Sequence, residues 1–449
     1  MKKLRLILLS LGLLMAASAP AGALDVKFSG EFYAAGMYLD KTSFIKDEGT
    51  STAFYFQRLR VRTDFTVAPG LSLITRFDAL ERSWGATRST ASTYPDYIYS
   101  YDNSAGTKAE NQNIAFDWAY VQYASPIGVF TAGYQDDEVW GTVFGDASIP
   151  RGKIGWSFKK GGWTVLAQIV KVDENSSTSA YPGNTSDTDY DKYIAGIIYQ
   201  WKTGEAGARY TYVRNAQFKS DSYPYASFIR LNSIQPYAKV KMGPVLLQAE
   251  LNYYWGSEDG QDGSLYYDAK LEAINFYLDA AADFNMFYAG ATFAYLSGDH
   301  DGTDDKKEGG SYLRYGGATG GGSDWNPCLI MFNSDRTYWA GSITGFFDSD
   351  YGPMQNAWFG QLRGGVKPLA ALNIMASISY AQADQIPTGF LHKDYGTEID
   401  LTATYKITNN LSYMLGAGYL FTGKYYKGYT DAIELTNDYL VINKLTLTF

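Results

Sequence analysis

The chain ends Tyr439-Leu-Val-Ile-Asn-Lys-Leu-Thr-Leu-Thr-Phe449. Tyr439, Val441, Leu445, Leu447 and Phe449 fall on one face, with Asn443 its only polar member; Lys444, Thr446 and Thr448 fall on the other. Successive side chains of a strand point to opposite faces, so this is a strand with one greasy and one wet side. The pattern recurs upstream. Leu59, Val61, Thr63, Phe65 and Val67 oppose Arg58, Arg60, Arg62 and Asp64. Leu71, Leu73, Thr75, Phe77 and Ala79 oppose Arg76 and Asp78. Val245, Leu247, Ala249, Leu251, Tyr253 and Trp255 oppose Gln248, Glu250 and Asn252, and Ile399, Leu401, Ala403, Tyr405 and Ile407 oppose Asp400, Thr402, Thr404 and Lys406. Two-sided strands also build sandwiches of about 5–6 residues per strand. These segments are longer, and a strand tilted across a bilayer needs roughly 9–11.

The connections alternate in length. Ala68-Pro69-Gly70, Ser125-Pro126-Ile127, Lys160-Gly161-Gly162, Met242-Gly243-Pro244, Asp283-Phe284-Asn285 and Thr408-Asn409-Asn410 read as tight turns. Longer stretches lie between them, at about 39–52, 85–112, 136–151, 174–188, 298–354 and 423–434. Short turns on one side and long loops on the other mark a transmembrane barrel. The expected fold is all-β: a transmembrane antiparallel β-barrel of about eighteen strands, with sixteen as the alternative, short periplasmic turns and long extracellular loops. The strands are expected at 25–38, 53–67, 71–84, 113–124, 128–135, 152–160, 163–173, 189–202, 206–217, 226–242, 244–256, 265–282, 285–298, 355–368, 370–383, 394–407, 410–422 and 435–449.

The N-terminus agrees. Lys2, Lys3 and Arg5 precede an apolar run from Leu6 to Ala17, and Ala21-Gly22-Ala23 is a small-x-small cleavage site. Residues 1–23 are expected to be a removable export signal and 24–449 a single barrel domain. Charged residues are 19% of the chain, below the roughly 25% usual for water-soluble domains. The 39 tyrosines include pairs near proposed strand ends (Tyr33 and Tyr38, Trp118 and Tyr120, Tyr199 and Trp201, Tyr253 and Trp255). These are expected to sit at the headgroup level. The single Cys328 excludes an intrachain disulfide, and no Cys-x-x-Cys-His is present for a haem of the chain's own. A net charge of −9 disfavours nucleic acid as a partner.

The chain resembles Gram-negative outer-membrane porins. Thr131-Ala-Gly-Tyr-Gln-Asp-Asp-Glu-Val-Trp140, followed by Phe144-Gly145-Asp146, looks like the strand entering the inward-folded third loop of general porins. Asp324-Trp-Asn-Pro, with Asp394-Tyr-Gly-Thr-Glu-Ile-Asp-Leu401 and Leu411-Ser-Tyr-Met-Leu-Gly-Ala-Gly-Tyr-Leu420, looks like the C-terminal half of eighteen-stranded alginate-export-type barrels, and the terminal alternation ending at Phe449 resembles the terminal signature of barrels inserted by the outer-membrane assembly machinery. The pattern is also similar to major porins of metal-respiring bacteria. The resemblance implies a water-filled channel for small hydrophilic solutes and ions, in contact with outer-membrane lipid. It leaves open a homotrimer, a partnership with multihaem cytochromes of an extracellular electron-transfer complex, and a dedicated exporter of an anionic polysaccharide.

The candidate site is a pore constriction. Arg58, Arg60 and Arg62 share a face, and Arg76 and Arg82 are in phase on the next strand. A cation on the lipid side at mid-bilayer costs roughly 2–4 kcal/mol, so these side chains are expected to face water. The resemblance places Asp136, Asp137 and Glu138 opposite them, and Arg363, in phase with Gln361 and Lys367, is expected to join the basic wall. No cofactor, metal site or catalytic residue is expected. The acidic loop Asp299-His-Asp-Gly-Thr-Asp-Asp305 lacks the EF-hand spacing. Gly316-Gly-Ala-Thr-Gly-Gly-Gly322 lacks the Gly-Lys-Ser/Thr of a phosphate loop and reads as a flexible loop tip. His392, near Asp384 and Asp394 in sequence, is the one arrangement to suggest hydrolysis, and the barrel is not expected to be an enzyme.

Overall fold

The computed structural model describes residues 25–85, 114–175, 188–219, 227–260, 268–300, 305–309, 321–343 and 354–449. The expected export signal over 1–23, the loop after Gly85 and the middle of the acidic loop 299–305 lie outside these residues.

Among the described residues, nineteen strands form one sheet. They are β1 (Asp25–Leu39), β2 (Thr52–Ala68), β3 (Leu71–Ser83), β4 (Ile114–Ser125), β5 (Gly128–Asp137), β6 (Ile149–Lys160), β7 (Trp163–Asp173), β8 (Tyr190–Trp201), β9 (Gly204–Asn215) and β10 (Ser227–Met242). There follow β11 (Val245–Gly260), β12 (Ala269–Phe284), β13 (Phe287–Leu296), β14 (Lys306–Lys307), β15 (Ala357–Leu369), β16 (Leu372–Ala383), β17 (Asp394–Lys406), β18 (Leu411–Thr422) and β19 (Asp438–Thr448). Eighteen are antiparallel staves; β14 alone is parallel, a two-residue extension beside β12. The sheet closes through β1 and β19, with Tyr33 opposite Thr446 and Leu39 opposite Leu440. Closure leaves no edge whose unpaired amides would meet lipid. Staves run from ten residues in β5 to seventeen in β2, as the expected tally of eighteen requires.

The turns at one end are tight because their residues accept positive φ. Gly70 (φ 78°), Gly243 (φ 59°) and Asn285 (φ 68°) reverse the chain between β2 and β3, β10 and β11, and β12 and β13. On the outer surface Phe116, Ile154, Leu362, Leu401 and Leu415 are more than half exposed. That is the band expected for hydrocarbon. Trp163, Tyr199 and Trp201 cluster there near one rim, and Tyr439, Tyr419 and Trp358 near the other. The headgroup assignment is corrected at three positions: Tyr33, Trp118 and Tyr120 are paired with the lumen-facing Arg58, Arg76 and Ile74 and point inward.

The lipid face gives a direct test. Leu401→Arg, at the middle of β17, is expected to destabilise the barrel by about 2–4 kcal/mol. Thr404→Arg, on the lumen face of the same strand, is expected to change stability by less than about 1 kcal/mol. Denaturant titration of the barrel folded in lipid vesicles would read both, and equal losses would refute the facing.

The apolar core lies inside the barrel. Wall residues Met37, Phe56, Tyr277, Phe359 and Tyr395 pack against Phe144, Trp325, Ile330, Met331 and Phe332 from two chain segments that enter the lumen. The first is 138–148, between β5 and β6. The second is 321–343, between β13 and β15, carrying the short helix α1 (Ser334–Ala340).

Candidate pore constriction

The first inward segment begins at Glu138, whose positive φ of 64° turns the chain off β5 into the lumen. It reaches the far wall by three anchors. Trp140 Nε1 donates to the Gln235 carbonyl at 2.8 Å. The Thr142 amide and hydroxyl both donate to Glu250 Oε2 at 2.7 Å. Phe144, fully buried, stacks on Tyr277 with centroids 5.1 Å apart. Gly141 and Gly145 allow this approach, since a Cβ at either would fall within 2.7 Å of the Glu250 carboxylate.

The second segment locks onto the first. The Gly322 amide donates to the Phe144 carbonyl at 2.7 Å, and the Asp324 amide to the Asp146 carbonyl at 3.1 Å. Gly321 and Gly322 end the glycine run that reads as a loop tip, yet both are docked. A Cβ on Gly322 would lie 1.8 Å from the Asp146 carbonyl oxygen, so glycine here serves close backbone approach. Further on, Gln361 donates to the Pro327 carbonyl at 2.7 Å. Asn333 caps α1 by accepting from the Arg336 amide. The buried Arg336 guanidinium satisfies the carbonyls of Ile330 and Gly341 at 3.0 Å. Trp339 then stacks on Phe56 of β2 at 4.4 Å. The two segments thus span the interior, joined at Phe144 and Trp325.

Asp146 sits at this junction and accepts from the Trp140 amide at 2.7 Å. Burial, aided by the nearby Asp324 carboxylate, raises its pKa above the ordinary value, against the Trp140 hydrogen bond. A carboxyl whose docked pKa is raised binds its proton more tightly when docked, so docking strengthens as pH falls. Single-channel noise is therefore expected to decline on acidification through the carboxylate range, and Asp146→Asn to flatten that dependence. A pH response unchanged in the variant would refute the assignment.

Four arginines line the wall beside β1. Arg60 grips Asp78 in a two-point fork, Nε to Oδ1 at 2.7 Å and Nη2 to Oδ2 at 2.6 Å. Asp117 bridges it to Arg76, with Nη2 distances of 3.4 and 3.0 Å. Arg76 lies on the Trp118 ring, 3.8 Å from its centroid. Arg58 stands over Tyr33 and 3.6 Å from Glu81, and Arg62 pairs with Asp64 at 2.9 Å. From Arg76 to Arg62 the side chains grade from 9% to 40% exposed. The ladder therefore carries its own counter-charge on the same wall.

Other expected members are placed elsewhere. Arg82 is out of phase: Leu80, with φ 50°, forms a bulge, so Arg82 pairs with Gln57 on the face opposite Arg58. Arg363 is on β15, separated from β2 by five staves, and its guanidinium is held by Asp279 at 2.8 Å and Thr292 at 2.7 Å. Of the three acids, Asp136 alone meets the ladder, 3.5 Å from Arg76 and accepting from Trp118 Nε1 at 2.8 Å. Asp137 and Glu138 turn to the buried Lys192 of β8, 2.9 Å from Asp137. His392 meets Asp431 at 2.8 Å rather than Asp384 or Asp394. Sequence reading missed the counter-ions Asp117 and Glu81, the anchor Glu250 and the cation Lys192. A polar residue on a lumen face carries no local mark of its partner.

No family profile and no curated relative matches the chain. Solved structures do share its fold. OccK2 (OpdF) of Pseudomonas aeruginosa, in complex with glucuronate, aligns with a TM-score of 0.51 at 11% identity over 95% of this chain and 98% of its own. OccK9 (OpdG) of the same organism gives 0.53 at 12% over 94% and 99%. A BenF-like porin from Pseudomonas fluorescens Pf-5 gives 0.51 at 11% over 95% and 100%. The likeness is one of fold: the chain has the eighteen-stave barrel of outer-membrane porins.

Proposed function

We propose that this protein is a porin of the Gram-negative outer membrane, a water-filled channel in which small hydrophilic solutes and ions diffuse past the arginine ladder. The observation that carries the reading is the narrowed interior. Two segments cross the lumen, and Arg58, Arg60 and Arg62 stay partly exposed on one wall, with the buried Arg76 behind them and acids interleaved among them. Fixed charges of both signs in a confined aqueous path orient polar solutes and set ion preference. The solved structures bound to glucuronate and, for OpdK, vanillate make small carboxylates the first solutes to test here, with Arg62 the ladder cation most open to solvent.

A cytochrome sleeve would need an unobstructed lumen, and an exporter of anionic polysaccharide a uniformly basic one. The inward segments and the lumenal Asp78, Asp117, Glu250 and Asp400 weigh against both. No hydrolytic role is assigned, since His392 pairs with the exposed Asp431. Planar-bilayer recording of the purified barrel tests the reading. Discrete steps in plain salt, reduced by millimolar glucuronate, are expected. A barrel that inserts yet conducts nothing would overturn it.

A further inference from the structure

Cys328, on the second inward segment, meets Glu398 and Asp400 of β17. One donor atom from each lies within 4.8 Å of the others. All three are buried, at 3%, 0% and 4% exposure. The Glu398 oxygens accept the amides of Ile330 and Met331, each at 2.7 Å. Asp400 Oδ2 has a long contact, 3.4 Å, from the Ser377 hydroxyl, and the Leu329 amide lies near this carboxyl. Asp400 Oδ1 is buried and receives no hydrogen bond from an N–H or hydroxyl, and the Glu398 and Asp400 carboxyls are themselves in hydrogen-bonding contact. Gly418 leaves room beside that oxygen, where a Cβ would come within 2.7 Å. A cavity of about 260 Å³ touches Cys328 and Asp400 and also Met375 and Met414.

Two adjacent buried carboxylates repel, and an unpaired buried acceptor costs about 1–3 kcal/mol. Among the described residues no lysine, arginine or histidine is paired with either carboxylate. Either a proton shared between the two carboxyls or a bound cation must neutralise them. Two peptide amides already hold Glu398 as an acceptor, while Asp400 Oδ1 lacks a donor and the Cys328 sulfur is within reach of both acids. One thiolate and two carboxylates suit a borderline cation of the zinc class, whereas calcium and magnesium prefer all-oxygen shells. We propose that Cys328, Glu398 and Asp400 bind one zinc-class divalent cation, with a fourth position open to the cavity. Binding releases the thiol proton to solvent and leaves the sulfur as thiolate. Because the sulfur comes from the inward segment and the oxygens from the wall, the cation staples segment 321–343 to β17. The assignment is independent of what the channel carries.

The test uses the whole barrel, folded in detergent, loaded with Zn(II) or Co(II) and desalted. One equivalent of zinc per chain is expected by elemental analysis. The cobalt form is expected to show thiolate-to-cobalt charge-transfer absorption in the near ultraviolet. Cys328→Ser should abolish that band, and Asp400→Asn should weaken retention at least about tenfold. Heat-dependent gel migration confirms that each variant remains a folded barrel. A folded wild-type barrel that retains no zinc and gives no such band would overturn the proposal and leave a proton shared by Glu398 and Asp400 as the neutralising group. A band that survives in Cys328→Ser would overturn it too.

Discussion

Glu250→Ala is expected to raise single-channel conductance and to make the open level noisy. Glu250 Oε2 accepts both donors of Thr142, and Oε1 accepts Asn252 at 3.0 Å. The residue is 2% exposed. Hydrogen bonds to a charged group contribute about 1.5–3 kcal/mol each, so losing the pair to Thr142 removes several kcal/mol from the docking of segment 138–148. A shift of that size moves a two-state docking equilibrium by roughly two orders of magnitude or more. The barrel itself persists, because its closure depends on backbone ladders that this carboxylate does not touch. Limited proteolysis would add a second readout, with cleavage inside 138–148 appearing only in the variant. Wild-type conductance in a folded Glu250→Ala barrel would show that the segment is held by Trp140 and Phe144 alone.

The second large effect concerns the ladder. In the double variant Arg60→Gln, Arg76→Gln, selectivity is expected to move toward cations, read as a shift of reversal potential in a salt gradient. The reason is local. Asp78 is buried against Arg60, and Asp117 lies between both guanidinium groups. Removing the arginines leaves two carboxylates facing the aqueous path without their counter-ions. Breaking such a buried pair from one side costs about 3–5 kcal/mol, and an unfolding midpoint lowered to match should accompany the shift. Arg82→Gln serves as the control. Its side chain is on the opposite face, so its effect on the reversal potential should be small. Equal shifts from the control and the double variant would remove the ladder from the ion path.

Period and length carry what the residues alone can supply. A strand has two faces, and a side chain's face depends only on parity. Leu401 against Asp400, or Val441 against Leu440, is therefore assigned to lipid or lumen with no knowledge of partners. Stave boundaries, tight turns and closure follow from the same rule, so the eighteen-stave barrel and its outer apolar band were legible. Parity failed where the backbone broke it. The bulge at Leu80 moved Arg82 to the other face, and neither Ala79 nor Leu80 is a residue type that announces a positive φ. Aromatic type failed as a guide to depth, because Tyr33 and Trp118 serve as platforms for Arg58 and Arg76 instead of meeting headgroups.

Which lumenal charges pair depended on closure in three dimensions. The lumen is closed on itself, so strands remote in sequence face one another and inward segments choose among many walls. Glu250 meets Thr142 across 108 residues and Glu398 meets Ile330 across 68. The acidic run that closes β5 and enters the turn after it behaves differently. Three consecutive carboxylates look equivalent in sequence, yet Asp136 goes to Arg76 while Asp137 and Glu138 go to Lys192. Both cations are lumenal, Arg76 on β3 and Lys192 on β8, and Asp137 and Glu138 stand at the turn that carries the chain inward. The terminal strand shows both limits at once. Its outward face could be read from the residues alone, while the inward Leu440 and Ile442 acquired meaning only when segment 321–343 packed beside them.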